Sequence, residues 1–403
     1  SKWDGGYVMA GMMGHGDAFV IRDPNGIRPA FYYSNDEVIV VASERPVIQT
    51  VFNLFPQDVK ELERGCAIII KKDGSFSIDQ VRTPREKKQC SFERIYFSRG
   101  NDSGIYAERR RLGKQLVPAV LNAIQYDLKN SVFSFIPNTA EVAFGGLIEG
   151  LYDYLNNEKV KQLLKIRETI NEEQLKDVLH FQPRTDKIVL KDAKQRTFIT
   201  DDASRDDLVS LVYDITYGVV KPFTDTLVVL DDSIVRGTTL KQSILKILDR
   251  LKPKKIIVVS SAPQIRYPDC YGIDMAVFGK FIAFEAAVTL LKERGMQSVI
   301  DKSYQEAKSQ LLLPKEQQQN VVKAIYEPFT ADEISKKIAQ LVRPSDLSCD
   351  LEIIYQSIEG LHQSCPDHLG DWYFTGNYPT AGGTRVANKA FVHYVEGVQG
   401  RAY

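Results

Sequence analysis

The sequence predicts an α/β protein: a β-rich opening piece, then a parallel sheet covered by helices, then a helical and irregular tail. Three observations predict it. Two apolar runs, Thr226 to Leu230 (TLVVL) and Ile256 to Ser261 (IIVVSS), have the length and β-branching of buried strands. Between them Leu240, Ile244, Leu245, Ile247, Leu248 and Leu251 fall near helical spacing and form one apolar stripe. Strand, turn, helix and strand within about 36 residues make a βαβ unit, which calls for a parallel sheet with covered faces.

In chain order, Ala18 to Ile21, Ala30 to Tyr33, Glu37 to Ala42 and Cys66 to Ile70 are short β-prone runs. Turn residues part them, notably Asp23-Pro24-Asn25-Gly26, Ser34-Asn35-Asp36 and Lys71-Lys72-Asp73-Gly74. Residues 1–82 therefore read as one β-rich piece. Val81 to Gln89, with Pro84 and five charges, reads as a linker, and a second domain is expected over 90–345. Val132 to Ile136 is a further buried strand, stopped by Pro137. Residues 151–180 place Val160, Leu163, Leu164, Ile170 and Leu175 among dense mixed charge, the pattern of a helical insertion of one or two surface helices. Beyond Ser303 the chain is Gln- and Lys-rich and helical to about Arg343, and 346–403 reads as a Tyr- and Gly-rich tail.

Composition narrows the function. At 403 residues, and with roughly 150 residues per domain, two to three domains are expected. The 52 basic and 52 acidic side chains cancel, so no global field draws the chain to nucleic acid or to an anionic membrane, and an anion site must be local. No apolar run approaches the ~18 residues of a membrane span. Five scattered cysteines read as reduced thiols, which makes a cytoplasmic location the expectation. The chain opens on Ser1-Lys2-Trp3 without an initiator Met, a basic n-region or a cleavable apolar segment, as a piece of a longer protein would.

Chemistry concentrates in Val228-Val229-Leu230-Asp231-Asp232-Ser233-Ile234-Val235-Arg236-Gly237-Thr238-Thr239. A hydrophobic strand runs into two adjacent carboxylates and then into a helix through a glycine and two threonines. Backbone N–H groups at the helix start, with the hydroxyls of Ser233, Thr238 and Thr239, suit a phosphate on the positive end of the helix dipole. Gly237 permits close backbone approach. Asp231 and Asp232, acceptor-only when ionised, suit the neighbouring hydroxyls of a ribose and a magnesium-bound substrate. The stretch is neither a Walker loop nor a dinucleotide fingerprint. His15, in Gly14-His15-Gly16, reads as a turn or packing histidine, and His362 and His368 around Cys365 make a weak zinc set.

This stretch resembles the 5-phosphoribosyl 1-pyrophosphate (PRPP) motif of type I phosphoribosyltransferases, in the version found in glutamine PRPP amidotransferases. Other segments agree in order along the chain. Arg22 to Pro29 (RDPNGIRP) and Val41 to Glu44 (VASE) resemble the second half of that family's N-terminal-nucleophile (αββα) glutaminase domain. Phe92 to Arg99 (FERIYFSR) resembles the start of its transferase domain, Arg196 to Ile199 (RTFI) part of its mobile loop, and Tyr271 to Met275 (YGIDM) a later loop. Phe374 to Thr380 (FTGNYPT) resembles the tail of some members.

The resemblance implies the first committed step of purine synthesis, in which PRPP and glutamine-derived ammonia give 5-phosphoribosylamine and pyrophosphate. It implies magnesium as cofactor, purine nucleotides as feedback ligands and a homo-oligomer, with no nucleic-acid or membrane partner. Arg236 to Thr239 would hold the 5-phosphate, Asp231 and Asp232 the ribose, and Asn138, Thr139 and Arg196 the pyrophosphate. Three departures qualify it. Ser1 precedes a segment matching the middle of the glutaminase domain, so the Cys nucleophile is expected to be absent from this chain and its activity ammonia-dependent at most. In Ile136-Pro137-Asn138-Thr139-Ala140-Glu141 an alanine stands at a usual serine, and 200–217 holds five Asp against one Arg where the family is basic. Cys90 and Cys270 match iron–sulfur ligands of one branch, with Cys365 near a third, but Asp367 and Gly370 stand at the remaining two positions, so a cluster is not favoured. The second reading is a PRPP-binding or regulatory module of the same fold without turnover.

Overall fold

The computed structural model describes residues 3–191, 213–272, 275–398 and 400–402. The chain divides into two compact units, each assembled from separate stretches of sequence.

One unit comprises Ser1–Tyr106, Ile265–Thr330 and Cys365–Tyr403. Its strands are β1 (Val8–Met12), β2 (Ala18–Arg22), β3 (Phe31–Ser34), β4 (Ile39–Ala42), β5 (Lys60–Glu61), β6 (Cys66–Ile70) and β7 (Phe76–Gln80). They form two antiparallel sheets in the orders β1-β2-β6-β7 and β4-β3-β5. Val20, Ala30, Leu62 and Ile68 make one core, Phe31, Ile48 and Val59 another. The RDPNGIRP stretch is scaffolding. Asp23 accepts from the N–H groups of Asn25 (2.9 Å) and Ile27 (3.1 Å), closing the turn in which Gly26 has φ 66°. Arg22 donates from Nε to Arg28 O at 2.9 Å, and Arg28 is clamped between Glu93 (3.0 Å) and Asp269 (3.0 Å). The C-terminal part of this unit buries Trp372, Tyr373, Phe278, Phe284 and Phe391.

The other unit comprises Ala107–Gln264 and Ala331–Ser364. Its strands are β8 (Ser131–Phe135), β9 (Arg184–Thr185), β10 (Val189–Lys191), β11 (Tyr213–Ile215), β12 (Thr226–Asp231), β13 (Lys255–Ser260) and β14 (Asp350–Tyr355). A five-stranded parallel sheet runs in the order β14-β13-β12-β8-β9, and β10 and β11 pair as an antiparallel ribbon. The expected βαβ unit is present: the stripe Leu240, Ile244, Leu245, Ile247, Leu248 and Leu251 is buried throughout, as are Leu227 to Leu230 and Ile256 to Val259. The other sheet face and its helices share a core of Phe133, Phe135, Leu147, Leu151, Val228, Leu230, Ile257 and Val259.

The surface-helix expectation holds with an earlier start. A helix spans Glu141–Ile166, and a second, Glu172–His180, is closed by an Asn171–Gln174 capping box. Gly145, Gly146 and Gly150 mask the first helix in sequence, and packing explains Gly146 together with Gly113 of the neighbouring helix. A Cβ at Gly146 would lie 1.9 Å from Arg110 O, and one at Gly113 1.8 Å from Ala143 O, so this helix and Ser103–Gln115 cross backbone to backbone. Among the described residues, no helix is long and apolar enough to cross a membrane.

Candidate functional site

The C-terminal ends of β8 and β12, in the centre of the parallel sheet, position the candidate residues. β12 is buried from Leu227 to Leu230, because neighbours flank it on both sides and helices cover it. Chain continuity is fixed on either side: Ile136 N–H donates to Leu230 O (2.8 Å), Ser261 N–H to Asp231 O (3.0 Å) and Ala262 N–H to Asp232 O (3.0 Å). The strand therefore delivers two carboxylates in sequence to the crevice beyond the sheet edge, where ligands of open α/β sheets bind.

Asp231 and Asp232 are both half-buried. Asp232 N–H donates to Asp231 Oδ1 at 2.9 Å, and Ser233 Oγ donates to Asp232 Oδ1 at 2.9 Å. Burial, then the neighbouring Asp232 charge, holds the Asp231 carboxyl well above the ordinary carboxylate range. Burial raises Asp232 too, while the hydroxyls of Ser233 and Thr139 and the charge of Arg109 pull it partly back. Two adjacent desolvated carboxylates without a bound cation or diol are costly. They are groups prepared for a ligand that supplies protons to share or positive charge.

Past them the chain turns through Gly237, whose φ of 70° is the left-handed conformation that glycine adopts freely. Lys241 N–H donates to Gly237 O at 2.9 Å and opens the helical ladder, which continues through Leu240–Ile244 and Leu245–Asp249. The N–H groups just before that bond lie outside the ladder. Arg236, Thr238 and Thr239 are exposed around them, so donors and one cation surround the helix start.

The loop after β8 supplies the second wall. The Pro137–Asn138 peptide is cis. Asn138 is exposed, Thr139 is half-buried, and the Thr139 hydroxyl lies close enough to the Asp232 carboxyl to help pull it back down. The structure thus joins Asp231, Asp232, Ser233 and Thr139 in one cluster, with Arg236, Gly237, Thr238 and Thr239 following directly in the chain. Arg196, expected on the pyrophosphate side, lies outside the described residues, as does Ser1. Sequence reasoning missed Arg109. It is 4% exposed, and its charge acts on Asp232, but a lone arginine in a basic helix (Glu108-Arg109-Arg110-Arg111) gives no signal of pointing inward.

Magnesium fits this donor set: hard carboxylate oxygens, one or two from the protein, with substrate phosphates completing the shell. A cluster does not fit the cysteines. Cys90 Sγ contacts Tyr373 Oη at 3.7 Å, and burial pushes its thiol up to about 12; Cys270 Sγ contacts Gly383 O at 3.3 Å. Among the described residues, no three His, Cys, Asp or Glu side chains converge as metal ligands.

No protein-family model matches the sequence. Curated relatives do. The chain is 30% identical over 292 residues to the amidophosphoribosyltransferase of Pasteurella multocida, covering 70% of this chain and 50% of that one. It is 28% identical over 317 residues to the amidophosphoribosyltransferase of Lachancea kluyveri, covering 75% and 55%. The chain spans about half the length of the curated relatives it matches. Among solved structures, the glutamine PRPP amidotransferase from B. subtilis complexed with ADP and GMP superposes with a TM-score of 0.58 at 23% identity, over 93% of this chain and 64% of that one. The homologues are amidophosphoribosyltransferases, and the fold is that of a PRPP amidotransferase, as the motifs imply.

Proposed function

We propose that this chain carries the phosphoribosyl-transfer step of an amidophosphoribosyltransferase, forming 5-phosphoribosylamine and pyrophosphate from PRPP and ammonia. The observation that carries the reading is the Asp231–Asp232 pair at the end of β12, hydrogen-bonded by Asp232 N–H and Ser233 Oγ and followed at once by an anion-ready helix start. Relatives named for this activity favour it over a PRPP-binding module without turnover.

In this reading, Arg236 and the hydroxyls and N–H groups of Gly237 to Thr239 hold the 5-phosphate. Asp231 and Asp232 accept hydrogen bonds from the ribose hydroxyls and oppose the positive charge that grows on C1. Asn138 and Thr139 face the pyrophosphate, joined by Arg196. Asp231 and Asp232 would hold the magnesium that accompanies the substrate, which would supply positive charge to the leaving pyrophosphate. The C1–O bond to pyrophosphate breaks, a C1–N bond forms, and the ammonia nitrogen loses a proton. The protein's part is to position, to stabilise charge and to keep water from C1.

The same proposal reads 1–82 as the C-terminal part of a glutaminase-like domain and extends purine-nucleotide feedback, a homo-oligomer and a cytoplasmic location to this protein. The B. subtilis structure holding ADP and GMP is the precedent for the nucleotides. The test is magnesium-dependent pyrophosphate release from PRPP with ammonia, in the wild type and in Asp231→Asn and Asp232→Asn. Each variant is expected to lose about a hundredfold or more in rate with the fold intact. Wild-type rates in both would refute the assigned roles.

A further inference from the structure

The parallel register places a third side chain on the rung of Asp231. Asp231 pairs with Ser260 across β12 and β13, and Ser260 pairs with Tyr355 across β13 and β14. Residues at one rung of a parallel sheet leave the same face, so Asp231 and Tyr355 stand on one side, about 10 Å apart at Cα, with a serine between them. Ser260 is small, and its hydroxyl is engaged elsewhere, donating to Ala262 O at 2.9 Å. A tyrosine is long enough to pass over it. The Tyr355 hydroxyl is buried, has no hydrogen-bond partner among the described residues, and feels the Asp231 charge.

Tyr355 has little freedom to escape. The next residue, Gln356, donates its N–H to Ser260 O (3.1 Å) and its Nε2 to Leu112 O (2.8 Å), which pins the end of β14. Asp231, for its part, receives one hydrogen bond among the described residues, from Asp232 N–H to Oδ1. An orphaned buried donor is expensive in a rigid sheet, and an under-coordinated carboxylate beside it is the acceptor it lacks. A small change in the Asp231 side chain would satisfy both.

We infer that Tyr355 is a positioning residue for the PRPP site: when the ribose is bound, its hydroxyl donates to Asp231 and fixes the carboxylate toward the sugar. The inference rests on the proposed function, because it needs a ribose at Asp231. It separates two costs. In the free protein the hydroxyl is a liability; in the complex it is a contact.

Tyr355→Phe keeps the ring and removes only the hydroxyl. The experiment measures magnesium–PRPP affinity by calorimetry and the melting temperature with and without magnesium–PRPP, in wild type and variant. We expect affinity to fall about tenfold, the melting temperature of the free protein to stay the same or rise, and the PRPP-induced rise in melting temperature to shrink. A purely structural tyrosine would instead lower the melting temperature of the free protein. That outcome, or unchanged affinity, overturns the inference while leaving the proposed function standing. A wild type that does not bind magnesium–PRPP removes the reading on which both depend.

Discussion

Asp231 and Asp232, the carboxylates proposed to bind the ribose, are poorly placed for stability. Burial raises both carboxyls, so the folded state holds a proton more tightly than the unfolded chain. Below the unfolded value of 3.8 both states are protonated and the penalty vanishes. As pH rises above it toward the higher folded value, the unfolded chain gives up its proton first and stability falls. Asp231→Asn removes that loss. It is expected to raise the melting temperature at neutral pH by about 2–4 °C and to flatten its decline between acid and neutral pH, while abolishing turnover. A scan of melting temperature against pH checks this, and a lower melting temperature at neutral pH would contradict it. The twelve-residue stretch from Val228 to Thr239 made these carboxylates legible, because an apolar strand running into Asp-Asp and then Gly-Thr-Thr has few other uses. The places of Arg109 near Asp232 and of Tyr355 on the rung of Asp231 were not legible, because a helix face and an edge strand put them there and no local pattern encodes that.

Elements packed backbone to backbone tolerate glycine only. The crossing of Ser103–Gln115 and Glu141–Ile166 leaves no space at Gly113 or Gly146, where the obstructing atoms are carbonyl oxygens that cannot swing aside. Gly146→Ala and Gly113→Ala are each expected to destabilise by about 3 kcal/mol or more, at or beyond the upper range of overpacking. Gly145→Ala is the control. Its nearest obstruction is the Arg110 guanidinium at 2.8 Å, the far end of a flexible side chain, so its cost should be small, offset by the gain in helix propensity. Denaturant melts of the three variants test the ranking, and equal stabilities would refute the packing account. These glycines also explain why this helix was harder to foresee than the strands. The buried strands β12 and β13 announce themselves by unbroken apolar runs and β8 by a short one stopped by Pro137, whereas β7 is exposed along its whole length and β14 mixes acid with apolar residues at the sheet edge.

At the scale of the whole molecule, both units are discontinuous in sequence. The parallel sheet takes its edge strand β14 from beyond residue 331, more than ninety positions after β13. Sequence order alone reads such a stretch as tail, since nothing local says which sheet it joins. The cysteines make a similar point about long-range placement. Cys90, Cys270 and Cys365 fall near the positions of an iron–sulfur site in sequence, but Asp367 and Gly370 stand at two ligand positions, which leaves fewer thiolates than a cluster needs. The purified chain is therefore expected to lack stoichiometric iron and the visible absorption of a cluster. Iron retained through chelation, together with that absorption, would overturn this.

The central claim is that the parallel-sheet unit performs phosphoribosyl transfer with ammonia. The most direct measurement is pyrophosphate release by the wild-type chain supplied with PRPP and magnesium, with ammonia present or withheld. The account predicts release that rises with ammonia concentration and forms phosphoribosylamine in equal amount. Magnesium–PRPP binding without ammonia-dependent release would contradict it and make the Asp231–Asp232 site a sensor rather than a catalyst.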